Sequence, residues 1–282
     1  VMLYRQVAPG ENVIGAGDDV KRGEPVLNKG SILKEGEIGS LAALGINQVP
    51  VYRKPVVGII STGNELVPSH TKNLEDGQIR DINSIILSSM AQNFGAEVIS
   101  GGIASDNLNS ILESAQKLLP QVDALLLSGG SSVGTLDFTA QVLQELGDEI
   151  LVEGIAIKPG KPTLLAKKDN KVLWGLPGHP VSAMMIFNYF GEVLLDIMRG
   201  VNEVKFKKTC TGTLTRNIPS SAGRTDLVRV KIEVHKDNYK ITPVFGKSGL
   251  ITTLIGTQGY LEIPPHKEGL EKGSSVEAIL WN

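Results

Sequence analysis

Asp123–Phe138, DALLLSGGSSVGTLDF, is the stretch whose reading decides the fold. Ala124–Leu127 is a short, wholly apolar run, with the length and composition of a strand buried on both faces of a sheet. It stops at Ser128-Gly129-Gly130-Ser131-Ser132-Val133-Gly134. Glycines there let the backbone approach a ligand, and hydroxyls with exposed N–H groups form a nest for an anion. Asp137 follows at the head of a helical pattern of Val142, Leu143 and Leu146, with Gly147 as the stop. A buried strand thus delivers a Gly/Ser loop and a carboxylate to one rim of a sheet, where open α/β sheets bind ligands. The same residues also fit a tight turn with Asp137 as a helix cap, and this segment alone leaves both readings open.

The flanking sequence repeats the strand-then-helix unit over residues 55–200, which predicts a doubly wound parallel sheet. Val56–Ser61 is the first strand, Ile82–Phe94 a helix closed by Gly95, and Glu97–Ser100 the second strand. Asn107–Leu119 is a helix capped near Ser105 or Asp106 and ended by Pro120. Ile150–Ile157 and Thr163–Ala166 form a strand pair around Lys158-Pro159-Gly160-Lys161-Pro162. Val172–Leu176 is the last strand, and Ala183–Met198 a long apolar helix. Residues 1–54 are rich in Gly and Pro with short apolar segments. They predict a partial, mostly β domain with one helix at Glu35–Leu44. Residues 201–282 switch to alternation, with strands at Cys210–Thr215, Leu227–Val234, Tyr239–Pro243, Tyr260–Ile263 and Ser275–Leu280. Asp237-Asn238 is a hairpin turn signal. The spacing predicts a small β-barrel or sandwich.

Composition narrows the class. The 282 residues suffice for two or three domains, and the 41% hydrophobic and 21% charged content is that of a globular protein. A formal net charge of −2 offers no polyanion-binding surface, so no nucleic acid is expected. A single cysteine, Cys210, excludes an intrachain disulfide and fits a reducing, cytoplasmic setting. No apolar run approaches about 20 residues, so no membrane span is expected. The chain opens on Val1 inside what reads as a domain, so a preceding segment is expected.

Four loops fall at predicted carboxyl ends of strands and are expected to share one rim. They are Ser61-Thr62-Gly63-Asn64-Glu65, the segment at Ser105-Asp106, the Gly/Ser loop, and Pro177-Gly178-His179-Pro180-Val181-Ser182. Lys158 and Lys161 are placed near the same rim. Glycines, hydroxyls and two lysines suit phosphate or another oxyanion. Glu65, Asp81, Asp106 and Asp137 are carboxylates at loop positions, and separated carboxylates beside phosphate suit Mg²⁺. Helix capping alone would explain Asp81 or Asp106, and the lysines would also fit a solvated turn. His70, His235 and His266 lack metal-ligand spacing, and His179 fits a turn. Ser131 and Ser132 have no base nearby in sequence, which weakens a nucleophile reading.

Taken in order, five motifs resemble the molybdopterin molybdenumtransferase family, which includes the C-terminal domain of gephyrin. They are STGNEL at Ser61–Leu66, GQIRDIN at Gly77–Asn83, SGGSSVG at Ser128–Gly134 with Asp137, KPGKP at Lys158–Pro162, and GLPGHPVSA at Gly175–Ala183. The resemblance covers essentially the whole chain. It implies insertion of molybdate into adenylylated molybdopterin with Mg²⁺ or Zn²⁺, releasing AMP. It also implies a MogA-like molybdopterin-binding domain at 55–200, a C-terminal β-barrel at 201–282, and an elongated homodimer. Carried onto matching positions, Glu65, Asp106, Asp137, Lys158 and Lys161 would be catalytic, with Glu65 and Asp137 on the metal. Thr62, Gly63, Ser128, Gly129, Gly130, Ser131, Ser132, Gly134, Pro177, Gly178, His179, Pro180 and Ser182 would bind the pterin substrate. A molybdopterin adenylyltransferase would be a partner. Three departures stand out. The upstream Ser-x-Met-Asp-Gly-Tyr-Ala segment is absent, His179 replaces a common Asn, and Ser131 replaces a common Val. Two other functions fit the residues, a molybdopterin adenylyltransferase of similar α/β fold and a non-catalytic pterin-binding scaffold. Surplus apolar residues on Ala183–Met198 agree with a dimer.

Overall fold

The structure, a computed structural model, describes residues 4–6, 8–129, 135–202, 205–235 and 238–281, the side chains of 135–137 excepted. Gly130, Ser131, Ser132, Val133, Gly134 and Asp237, and the Asp137 side chain, therefore lie outside the described residues. The chain forms two compact units, Val1–Tyr52 with Gly200–Val204, and Arg53–Arg199 with Lys205–Asn282.

Among its described residues the first unit has one regular element, helix α1 (Glu35–Ala43). The expected short strands do not form among its described residues. Gly10, Gly17, Gly23 and Gly30 all take positive φ, so a turn breaks the backbone every few residues and leaves no run long enough to pair.

In the second unit, strands β1 (Val56–Thr62), β2 (Glu97–Ala104) and β3 (Ala124–Gly129) alternate with helices α2 (Asn83–Asn93), α3 (Leu108–Leu118) and α4 (Thr135–Leu146). Then come β4 (Glu149–Glu153), β5 (Ile157–Lys158), β6 (Leu164–Lys168) and β7 (Lys171–Pro177). The first sheet runs β2-β1-β3-β7-β6-β4. Its first four strands are parallel, and β6 and β4 add an antiparallel edge. Alternation along β3 explains the two layers. Ala124 and Leu126 face one core with Val57, Ile59, Leu87 and Phe187, while Leu125 and Leu127 face the other with Ile60, Ile111, Val142 and Leu143.

Pro180–Met198 runs as α5 (Pro180–Ile186), a π turn (Phe187–Gly191) and α6 (Glu192–Met198). It starts before the expected Ala183 because Pro180 occupies the first turn, where its fixed φ suits a helix. By length and composition this 19-residue helix is long and apolar enough to cross a membrane, against the sequence expectation. Here it is packed into the fold, with Val181, Met185, Ile186, Phe187 and Leu195 buried.

The remaining strands, β8 (Thr209–Leu214), β9 (Thr225–His235), β10 (Asn238–Pro243), β11 (Gly259–Ile263) and β12 (Ser275–Leu280), close a five-stranded barrel. The two-residue β5 extends this barrel, not the first sheet, by pairing Lys158 with Asp226 on β9. Aromatic side chains join the two halves. Tyr260, 1% exposed, lies 5.2 Å from Trp281 and 6.4 Å from Tyr189 between ring centroids. The Tyr189 hydroxyl donates to Glu262 Oε1 at 2.9 Å, and burial first, then that carboxylate, pushes its pKa up to about 12.

Candidate functional site

The parallel strands deliver their carboxyl ends to a rim cleft of about 730 Å³. Thr62 from β1 and Ser128 and Gly129 from β3 line it, with Gly63, Glu65, Asp106, Gly178, His179 and Pro180. Pro177 ends β7, buried and in register with Gly129. A barrel loop closes the cleft with Gly249 and Ile251. A Cβ at Gly63 would stand 2.8 Å from both Glu65 carboxylate oxygens, so that carboxylate lies over the loop.

Asp106 does not cap α3, contrary to one sequence reading. Asn107 does, its side-chain oxygen accepting from the Ser110 N–H at 2.9 Å. The Asp106 backbone N–H instead donates to Asn64 Oδ1 at 2.9 Å, tying the two loops together. Asp106 Oδ1 is buried without a hydrogen-bond partner among the described residues. Burial, and then the like charge of Glu65, holds the Asp106 carboxyl above the usual range. Two carboxylates that repel, one with a buried free oxygen, fit a hard cation with oxygen ligands. Asp81 does act locally, its Oδ1 accepting from the Ser84 N–H in the first turn of α2. α4 begins at Thr135, so Asp137 falls within its first turn and not at the flanking cap position.

Asn83 was missed in the sequence. It is 8% exposed and lines the cleft. Its Nδ2 donates to Ser128 Oγ at 2.9 Å and to the Gly178 carbonyl at 2.7 Å. It thereby joins the ends of two strands that are distant in sequence. The signal was its place at the end of the GQIRDIN motif, Gly77–Asn83.

Lys158, Lys161 and Ser182 are not in the rim cleft. They line a second cleft of about 740 Å³ between the α/β layer and the barrel. The reason is topological: Lys158 ends β5, which the barrel pairs away from the rim. Gly160, at φ +119°, allows the KPGKP turn to pass over α5, where a Cβ would meet Ile186 Cγ1 at 2.2 Å. Among the described residues, Arg224, Arg229 and Lys247 bring the lining cations to five, against one carboxylate, Asp226. Arg229 is 6% exposed and donates to Thr253 Oγ1 at 2.7 Å, and burial draws its pKa down. Alternation gave no common signal for these residues, since Asp226 and Arg229 are three apart on β9 and fall on opposite faces of the strand. The two clefts share a wall. Gly178, His179 and Pro180 face one and Val181 and Ser182 the other, and the Val181 N–H donates to the Ser248 carbonyl of the barrel loop at 3.1 Å.

Two family matches divide the chain in the same order as the architecture. Residues 58–196 match the "Probable molybdopterin binding domain" family and 211–281 the MoeA C-terminal region, domain IV. The class is thus an α/β domain of the molybdopterin-binding kind joined to a MoeA-type barrel. The chain is 37% identical to the molybdopterin molybdenumtransferase of Haemophilus influenzae, over 97% of this chain and 68% of that protein. It is 32% identical to that of Bacillus subtilis, over 99% of this chain and 64% of that protein. The crystal structure of the molybdopterin biosynthesis MoeA protein from Pyrococcus horikoshii superposes with a TM-score of 0.80 at 35% identity, over 99% of this chain and 68% of that one. The chain belongs to the molybdopterin molybdenumtransferase family, and spans about two thirds of the length of these relatives.

Proposed function

We propose that the chain inserts molybdate into adenylylated molybdopterin and releases AMP. The observation that carries this reading is the pair of abutting clefts. One offers hydroxyls, backbone and carboxylates, and the other five cations against one acid. The rim cleft suits a phosphate-bearing pterin beside a cation, and the second suits an oxyanion. Glu65 and Asp106 would hold Mg²⁺, with Asp137 from the first turn of α4. The oxygen donor set suits Mg²⁺ better than Zn²⁺. When bound, the ion would offset charge on the substrate phosphates. Asn83 orients the Ser128 and Gly178 ends of the rim, and Lys158 and Lys161 neutralise the oxyanion. The adenylyltransferase and scaffold readings leave the barrel's cation cleft without a role. A cytoplasmic setting and supply of substrate by a molybdopterin adenylyltransferase belong to the same reading, as does the division of labour among 1–54, 55–200 and 201–282.

The test is chromatographic measurement of AMP after mixing the chain with adenylylated molybdopterin, Mg²⁺ and molybdate. Molybdate-dependent AMP is expected, and its absence would overturn the proposal. A protonated Asp106 is a poor cation ligand, and its pKa is raised. Mg²⁺ affinity should therefore fall on the acid side at a higher pH than an ordinary aspartate would give. Asp106→Asn should abolish that pH dependence.

We also propose a homodimer. Phe190, Val193 and Ile197 remain 38%, 56% and 69% exposed along the α5–α6 helix, a stripe of the kind that interfaces cover. Sedimentation equilibrium at micromolar concentration should give twice the chain mass. A single-chain mass would refute the dimer for this chain.

A further inference from the structure

We propose that Asp226 is a positioning residue that holds the cations of this cleft ready for an oxyanion. The inference rests on the reading that an oxyanion occupies this cleft. A carboxylate among cations weakens any anion site through simple Coulomb repulsion, so its presence calls for a compensating role. Asp226 is 3% exposed, and among the described residues it is the cleft's one acid. Its Oδ1 accepts from Arg224 Nε at 2.8 Å, and its Oδ2 lies 3.9 Å from Lys158 Nζ. The two cations come from different parts of the fold, Arg224 from the approach to β9 and Lys158 from β5, and the β5–β9 pairing places Lys158 opposite Asp226. Their side chains are 38% and 60% exposed against 5% for Asp226. Two long, partly exposed cations thus converge on one buried acid.

The chemistry of the guanidinium completes the argument. Arginine has five N–H donors in a planar fork, and Asp226 uses the Nε edge. The Nη edge is left for a ligand that accepts two parallel hydrogen bonds, as a tetrahedral oxyanion does. Holding the fork in place in advance lowers the entropy lost on binding. Asp226 thereby exchanges some attraction for geometry.

The two effects predict opposite signs. If Asp226 is only a negative charge in the wall, Asp226→Asn tightens anion binding. If it positions the cations, the same change weakens it. Calorimetric titration of the chain with molybdate should show Asp226→Asn binding at least tenfold more weakly than wild type. In an Arg224→Ala background the same substitution should no longer weaken binding, because the fork it held is gone. Thermal melting of each variant separates this from loss of fold. If Asp226→Asn does not fold, Arg224→Lys serves instead. It keeps the charge, loses the fork, and should also bind at least tenfold more weakly. Molybdate binding by Asp226→Asn at or above wild-type strength overturns the inference alone, as does undiminished binding by Arg224→Lys. Wild type that fails to bind millimolar molybdate removes the proposed oxyanion site and this inference with it.

Discussion

Gly129→Val should cost about 3 kcal/mol or more of stability and abolish binding at the rim cleft. A Cβ at this position would stand 1.7 Å from Thr62 Oγ1 and 2.5 Å from the Thr62 carbonyl. Neither partner has room to move. Thr62 pairs with Gly129 in register, Gly129 pairs with Pro177 on its other side, and every residue of β3 is buried. The strands would have to separate at the very point where they supply the cleft, so stability and site fail together. Urea denaturation and calorimetric titration with AMP provide the two readouts. A Gly129→Val protein that unfolds with wild type and binds AMP equally would show that the rim is not packed as described. The glycine at this position is thus required by the neighbouring strand, whatever it also grants a ligand.

Replacing Lys158 and Lys161 together by alanine should raise the KM for molybdate about 100-fold, from the loss of two charge-assisted contacts. AMP affinity at the rim should change less than about threefold, because neither lysine lines that cleft. Both lysines are exposed. Although the loss of Lys158 takes the 3.9 Å ion-pair partner from Asp226 Oδ2, Arg224 still holds Oδ1, so stability should fall by no more than about 1 kcal/mol. Steady-state kinetics with molybdate varied, beside titration with AMP, separates the clefts. An unchanged KM would remove the oxyanion role of the lysines, and a parallel loss of AMP affinity would merge the two clefts into one.

The local readings that succeeded share a cause. Ala124–Leu127 reads as a doubly buried strand because each residue is apolar whichever face it meets, and both cores do receive it. The barrel strands were visible because one face is wet and the period is two. The N-terminal strands failed because a short apolar run predicts a strand only if a partner exists to complete its hydrogen bonds. The cap at α3 was displaced by one residue, from Asp106 to Asn107, since both side chains can cap and only the loop path selects between them.

The sequence by itself determined the α/β order, the barrel and the rim that gathers Thr62, Glu65, Asp106, Ser128 and His179. Each of these follows from periodicity or from a loop's place after a strand, both of which are local properties. Only the tertiary structure decided that Lys158 and Lys161 face a separate cleft, and that Arg224, Asp226 and Arg229 share it. That choice turns on the β5–β9 pairing, which joins residues nearly 70 positions apart through backbone hydrogen bonds. Backbone pairing is nearly independent of side-chain identity, so the two strands' own residues announce no partner. The same holds for Asn83, whose two acceptors, Ser128 and Gly178, are brought together by the parallel stacking of β3 on β7.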